Sequence, residues 1–201
     1  MQTVHDWIVA RYPAPGWFVE AGAHDGVGDS ATYRLEQMGW TGLCIEPSSS
    51  FDGLRASRDC RVDNRALWWE SGAEVEFLEV AGEAIELSGI GSTFISRAKG
   101  PALKHAIRRV KTVTLTDALA EHGAPPYIEF LTLDTEGSEL VILEAHDFGR
   151  FRFGAISVEH NSDPARREAM RRLLSARGYA LAVPNAWDIE DWFTWEAPDG
   201  A

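Results

Sequence analysis

The segment FVEAGAHDG, residues 18–26, closes an apolar run with an acid and then spaces glycines at Gly22, Gly26 and Gly28. Glycines in such a turn let the backbone approach a ligand closely. Their spacing, G-x-x-x-G-x-G, is not the G-x-G-x-x-G that seats a pyrophosphate on a helix N-terminus, which argues against a dinucleotide. Glu20, at the end of the run, would repel a phosphate but suits an ammonium such as that of a methionine moiety, and Asp25 lies in the same turn. Glu46 and Pro47 end a second apolar run, where a carboxylate can accept both hydroxyls of a ribose. Asp63 and Asn64 end a third, placed to meet an adenine edge. Each of these alone reads equally well as a helix cap or turn residue, but together they point to an adenosine-type cofactor.

A second group of acids follows two later runs. LTLDTEGSE ends a strand-like run at Asp134, and SVEHN does the same at Glu159. Neighbouring carboxylates at strand ends are costly unless something positive lies between them. Three things could fill that role: a divalent metal such as Mg or Mn, a shared proton, or a sulfonium. With a metal, Asp134, Glu159 and His160 or Asn161 would be ligands, and a substrate hydroxyl would take an open position where its pKa falls. Without one, His160 is the general base, oriented by Glu159 or Asp134. Asp134, Glu159 and His160 are thus the catalytic candidates. The simpler alternative is that Asp134 and Thr135 cap the next helix and His160 is structural. Glu136 and Glu139 are ambiguous between site and solvent.

These residues need a scaffold that brings strand ends together. The patterning predicts a short helix over 3–11 stopped by Pro13 and Pro15, and a strand over 17–21. A helix capped by Asp29 or Ser30 should carry Ala31, Leu35 and Met38 on one face and stop at Gly39. Strands follow at 42–46, 60–63 and 74–79, with a helix near 49–57 between the first two. From 81 to 109 the period fails, in a stretch too long for an ordinary connection, and this is a candidate lid. Regularity resumes with strands at 110–115, 128–133 and 155–159, separated by helices at 117–122 and 137–145. A helix over 164–177, with Pro at its first position, leads to an antiparallel hairpin of 179–183 and 189–195. The alternation implies an α/β fold, mostly a parallel sheet with helices on both faces.

The 201 residues fit one domain, and 45% hydrophobic content with eight Trp and nine Phe supplies one core. A net charge of -12 disfavours nucleic acid and anionic membrane. Cys44 and Cys60 sit in apolar runs and read as buried thiols rather than a disulfide framework. No leader-like start and no apolar span of about 18 residues is visible, so no membrane insertion and a cytoplasmic location are expected.

Over most of its length the chain resembles the FkbM family of methyltransferases, through GWFVEAGAHDGVGDSATYRLE, WTGLCIEPS, VDNRAL, FLTLDTEGSELVILEAHDF, ISVEHN, GYA and DIEDWF. The resemblance implies a class I Rossmann-like fold and methyl transfer from S-adenosylmethionine to oxygen, often a sugar hydroxyl of a glycan or natural product. It implies that Glu20, Gly22 and Gly26 form the cofactor loop, Glu46 binds the ribose, Asp63 and Asn64 flank the adenine, and Asp134 lies near the sulfonium. Residues 81–109 match least, and are expected to set substrate choice; their basic residues could meet an anionic acceptor or simply be solvated. The partners expected are a small-molecule or glycan acceptor and a second copy in a homodimer. Two other readings stand beside this one: a cofactor-binding module that no longer catalyses, and a metal-dependent hydrolase.

Overall fold

In the computed structural model, which describes residues 3–93 and 104–196, α1 (Val4–Arg11) is capped by Thr3, whose hydroxyl accepts the Asp6 amide at 3.1 Å. The chain then alternates through β1 (Trp17–Ala21), α2 (Tyr33–Gln37), β2 (Thr41–Ile45), α3 (Phe51–Ser57) and β3 (Arg61–Asp63). Next come β4 (Ala66–Leu67), β5 (Glu74–Val80), a 3-10 turn (Gly82–Leu87), β6 (Gly89–Ile90) and β7 (His105–Val113). Alternation resumes with α4 (Leu115–Glu121), β8 (Tyr127–Leu133), α5 (Glu139–Ala145), β9 (Arg152–Glu159) and α6 (Pro164–Ala176). The hairpin of β10 (Tyr179–Ala186) and β11 (Glu190–Trp195) follows.

The main sheet has the order β10-β11-β9-β8-β1-β2-β3, parallel from β9 to β3, with the hairpin added antiparallel. The chain therefore winds outward from β1 on one side and from β8 on the other. Such a reversal leaves a crevice at the carboxyl ends of the two central strands.

Both faces of the sheet are covered, which is why β1 is buried throughout. Val19, Leu43, Leu131 and Ile156 pack against Leu119, Ile142 and Leu174 of α4, α5 and α6. On the other face Phe18, Cys44 and Phe130 meet Ile8 of α1 and Leu35 of α2. Trp7 of α1 also stacks on Trp192 of β11, ring centroids 5.1 Å apart. The N-terminal helix is thereby fixed over the sheet, its first residues close to the crevice.

Two expectations need correction. α2 starts at Tyr33 behind Thr32 rather than directly behind Asp29 or Ser30, although the Ser30 hydroxyl accepts the Thr32 and Tyr33 amides at 3.2 and 3.0 Å while donating to Glu20; Met38 is exposed. The stretch over 81–109 is not one irregular lid. Its last residues begin β7, which pairs antiparallel with the whole of β5 in a second sheet ordered β4-β7-β5-β6. That strand had no apolar period because it is charge-matched to its neighbour: Lys111 stands opposite Glu74, Arg109 opposite Glu76, and Arg108 reaches Glu79 at 2.5 Å. These basic side chains thus have acids beside them already. Arg97 and Lys99, and the lid expectation for 94–103, lie outside the described residues.

Candidate active site

A cavity of about 560 Å³ opens at the crevice. Its walls are Gly22, His24, Asp25 and Gly28 after β1, Glu46 and Pro47 after β2, Asp134 and Glu136 after β8, and Glu159 at the end of β9. Leu67, Phe77 and Ile90 supply an apolar wall from β4 and the second sheet, and Ile85 to Leu87 of the 3-10 turn complete it. Of the stretch over 81–109, the part that reaches this cavity is therefore within residues 85–90.

Glu20 reaches the cavity wall but its carboxylate is committed. Strand alternation turns it to the α2 side with Phe18, where it accepts hydrogen bonds from Ser30 Oγ at 2.8 Å, Thr32 Oγ1 at 2.5 Å and the Ala31 amide at 2.8 Å. Arg58 adds an ion pair at 3.3 Å and also donates to the Gly26 carbonyl, Ser30, Thr32 and Glu36. The Arg58 side chain is fully buried. Sequence patterning misses this residue, since an Arg one position past a helix carries no local signal of burial; it braces the whole loop from behind.

Gly22 has φ +83, and a Cβ there would lie 1.7 Å from the Asp134 carbonyl oxygen. Only glycine lets the β1 turn cross the end of β8 so closely, and the Asp134 amide donates to Ala21 O at 3.0 Å in the same contact. Gly26 also has positive φ, but it sits behind the loop against Arg58, Leu54 and Ser57 rather than on the cavity wall. Its expected contact with a cofactor is corrected to a shaping role. Asp25 lines the cavity while its Oδ1 accepts the Val27 and Gly28 amides, both at 2.9 Å, and the Val27 bond above all holds its pKa below the usual carboxylate range against burial.

Glu46 is 6% exposed; Oε2 accepts the His24 amide and Oε1 the Ser48 amide, both at 2.8 Å. Each oxygen keeps a further lone pair for a ligand hydroxyl. Asp63 and Asn64 are not on this cavity, a correction with a plain cause. Burial pushes the Asp63 carboxyl up, but Arg65 at 2.6 Å and His122 at 3.0 Å outweigh it and hold the pKa down, turning the side chain away. Asn64 lines a separate depression with Arg108, Arg109 and Lys111.

At the other end of the crevice, Asp134 is exposed and its carboxylate has no hydrogen-bond partner among the described residues. Asp134, Glu139 and Glu159 each bring an oxygen within 4.8 Å of the others. Glu139, fully buried, has its pKa raised by burial; Oε1 accepts from the Thr135 amide and hydroxyl and the Gly137 amide, and Oε2 lies 3.7 Å from Arg166. Sequence reasoning left Glu139 undecided, yet it stands in the acidic group with Asp134 and Glu159.

His160 is corrected as ligand and base. It is 1% exposed, absent from the cavity wall, and lies 4.0 Å from Asp191, which Arg171 clamps at 2.7 and 2.9 Å. Burial lowers its pKa. Consecutive residues of an extended chain point to opposite faces; Glu159 takes the cavity side, so His160 cannot. A metal, if bound, would be held by Asp134 and Glu159 with water, and Glu139 stands within reach, since its Oε1 is taken by donors while its Oε2 has only Arg166 at 3.7 Å.

No helix among the described residues is long and apolar enough to cross a membrane. A search of curated proteins finds no match. Among solved structures, one described as human methyltransferase 10 domain containing protein superposes with a TM-score of 0.50 at 13% identity, covering 98% of this chain and 80% of that one. At this identity the likeness speaks for the fold, a Rossmann-like methyltransferase fold. Residues 20–181 match the methyltransferase FkbM domain, from Glu20 near the end of β1 into β10, and so the chain belongs to the FkbM family of methyltransferases.

Proposed function

We propose that this chain is an S-adenosylmethionine-dependent O-methyltransferase acting on a hydroxyl of a carbohydrate or small natural product. The observation that carries the reading is a single cavity holding Glu46 at the β2 end and Asp134 and Glu159 at the β8–β9 end. Those residue types fit a ribose diol at one end and a cationic amino acid end at the other. Bound there, S-adenosylmethionine supplies a methyl group on a positively charged sulfur that leaves as a neutral thioether. The chain's part is to accept the ribose hydroxyls at Glu46, to favour positive charge with Asp134 and Glu159, and to exclude bulk water with Leu67, Phe77 and Ile90. The acceptor oxygen forms the new bond to carbon, and its proton passes to the exposed Asp134 carboxylate and then to water.

Calorimetry with S-adenosylmethionine tests this. Glu46→Gln keeps the side chain's size and one acceptor oxygen but removes the charge, and its dissociation constant is expected to rise about 10- to 100-fold. No binding by the wild type, or equal binding by the variant, sinks the cofactor assignment. Binding without turnover over a broad acceptor panel favours the non-catalytic module instead. The Asp134–Glu159 proximity also supports a metal-assisted version, with Mg or Mn lowering the acceptor hydroxyl's pKa. Full activity after exhaustive chelation removes that version and leaves Asp134 as base.

A further inference from the structure

A second cavity, of about 520 Å³, adjoins the first. Gly22, Asp29, Ser30, Asp134 and Glu159 line both, so the two meet along that wall. The rest of the second cavity is built from other parts of the chain: Val4 and His5 at the start of α1, Arg34 of α2, and Trp187 and Glu190 about the β10–β11 turn.

We infer that this second cavity receives the methyl acceptor, and that His5 and Trp187 select the hydroxylated ring that enters it. The inference rests on the methyl-transfer reading above. Group transfer requires reacting atoms about 3–3.5 Å apart, so the acceptor must occupy space that touches the donor cavity, and the shared wall at Asp134 and Glu159 is such a place.

His5 carries a second, independent mark of a binding site. It is 9% exposed, and its Nδ1 is buried with no hydrogen-bond partner among the described residues. A buried ring nitrogen left unpaired is costly, and the ring that carries it lines the cavity. Burial first, and the nearby Arg34 charge second, pull His5 below its usual pKa against Asp6, which keeps the imidazole neutral and able to accept.

Trp187 is the opposite kind of residue, 48% exposed on the turn with φ +54. A bulky side chain held in the left-handed region with half its surface in water is strained and poorly packed. A flat aromatic face bordering a cavity whose wall also carries carboxylates suits a ring that is apolar on its face and hydroxylated at its edge. Both residues lie outside residues 20–181. The family-matched span supplies most of both cavities, and the flanks of this chain add His5 and Trp187 to the walls of the second.

The test uses the whole chain saturated with S-adenosylhomocysteine and titrated calorimetrically with methyl glycosides of a hexose, a 6-deoxyhexose, an amino sugar and a uronic acid. Methyl transfer to each from labelled S-adenosylmethionine is followed in parallel. The wild type is expected to bind at least one glycoside. His5→Ala and Trp187→Ala should each weaken that binding about tenfold or more and raise its KM, with S-adenosylmethionine affinity held within about twofold. His5→Gln takes the place of His5→Ala if the latter loses its cooperative unfolding transition. Glycoside binding untouched by both substitutions places the acceptor elsewhere and overturns the inference, as does a wild type that binds S-adenosylmethionine but no glycoside. Failure to bind S-adenosylmethionine at all is a different result: it removes the methyl-transfer reading, and this inference with it.

Discussion

After β1, β2 and β3 the sheet edge carries Glu20, Glu46 and Asp63, each with its carboxylate occupied by backbone amides, hydroxyls or an arginine. After β8 and β9 the same edge carries Asp134 and Glu159 with Glu139 behind them, three carboxylates within 4.8 Å, and Arg166 reaches Glu139 rather than the cavity. The first set holds the loops in place, and of its members Glu46, with one bond to each oxygen, keeps lone pairs for a ligand in the cavity it lines. The second concentrates negative charge where a ligand can reach it. Acids at strand ends therefore divide by what surrounds them, and a buried acid that is fully bonded is a brace whatever its position in a motif.

If that division is right, the largest loss of stability comes from the brace. Arg58→Ala leaves Glu20 and Glu36 buried without their counter-ion, and is expected to cost about 4 kcal/mol in chemical denaturation. A loss under about 1 kcal/mol would mean the loop does not depend on it. A smaller effect, with a pH signature, belongs to Asp63→Asn. The folded pKa of Asp63 lies below its ordinary 3.8, so its ion pair stabilises the fold above that pH and stops doing so as pH falls through the folded value. The variant should be less stable than wild type by roughly 1 kcal/mol at neutral pH, and the gap should close below pH 3.8. A gap that is constant with pH breaks the assignment. Asp134→Asn completes the contrast: on the charge-rich edge, with an exposed and unbonded carboxylate, it should change stability by no more than about 0.5 kcal/mol while methyl transfer falls. A large stability loss there would make Asp134 another brace.

Much of the fold was legible because its strands are buried on both faces. Runs such as residues 17–21 and 128–133 have no other physical use at that length. Of the second sheet, β5 and the end of β7 were legible as strands over 74–79 and 110–115, but the first half of β7 was not, because it is stabilised by charge pairs with β5, and a strand whose exposed face is basic shows no apolar period. In the site, the residues directly after β1, β2 and β8 were found by position alone. His160 was misplaced by treating neighbours in sequence as neighbours in space, although the two-residue period of extended chain was enough to separate it from Glu159. Arg58 and Glu139 were hidden for a different reason: Arg58 reaches Glu20 from beyond α3, and Glu139, whose hydrogen bonds to Thr135 and Gly137 are local, joins the site through its proximity to Glu159 and Arg166. No local pattern encodes such reach.

The contact between Gly22 and the Asp134 carbonyl has a consequence for traffic. With no room for even a methyl group between them, the ends of β1 and β8 behave as one piece and cannot part to let a ligand through. With the acceptor in the second cavity as inferred above, the sides left for exchange are Ile85 to Leu87 of the 3-10 turn for the donor and Trp187 for the acceptor. Each would have its own doorway, and one could leave while the other stays.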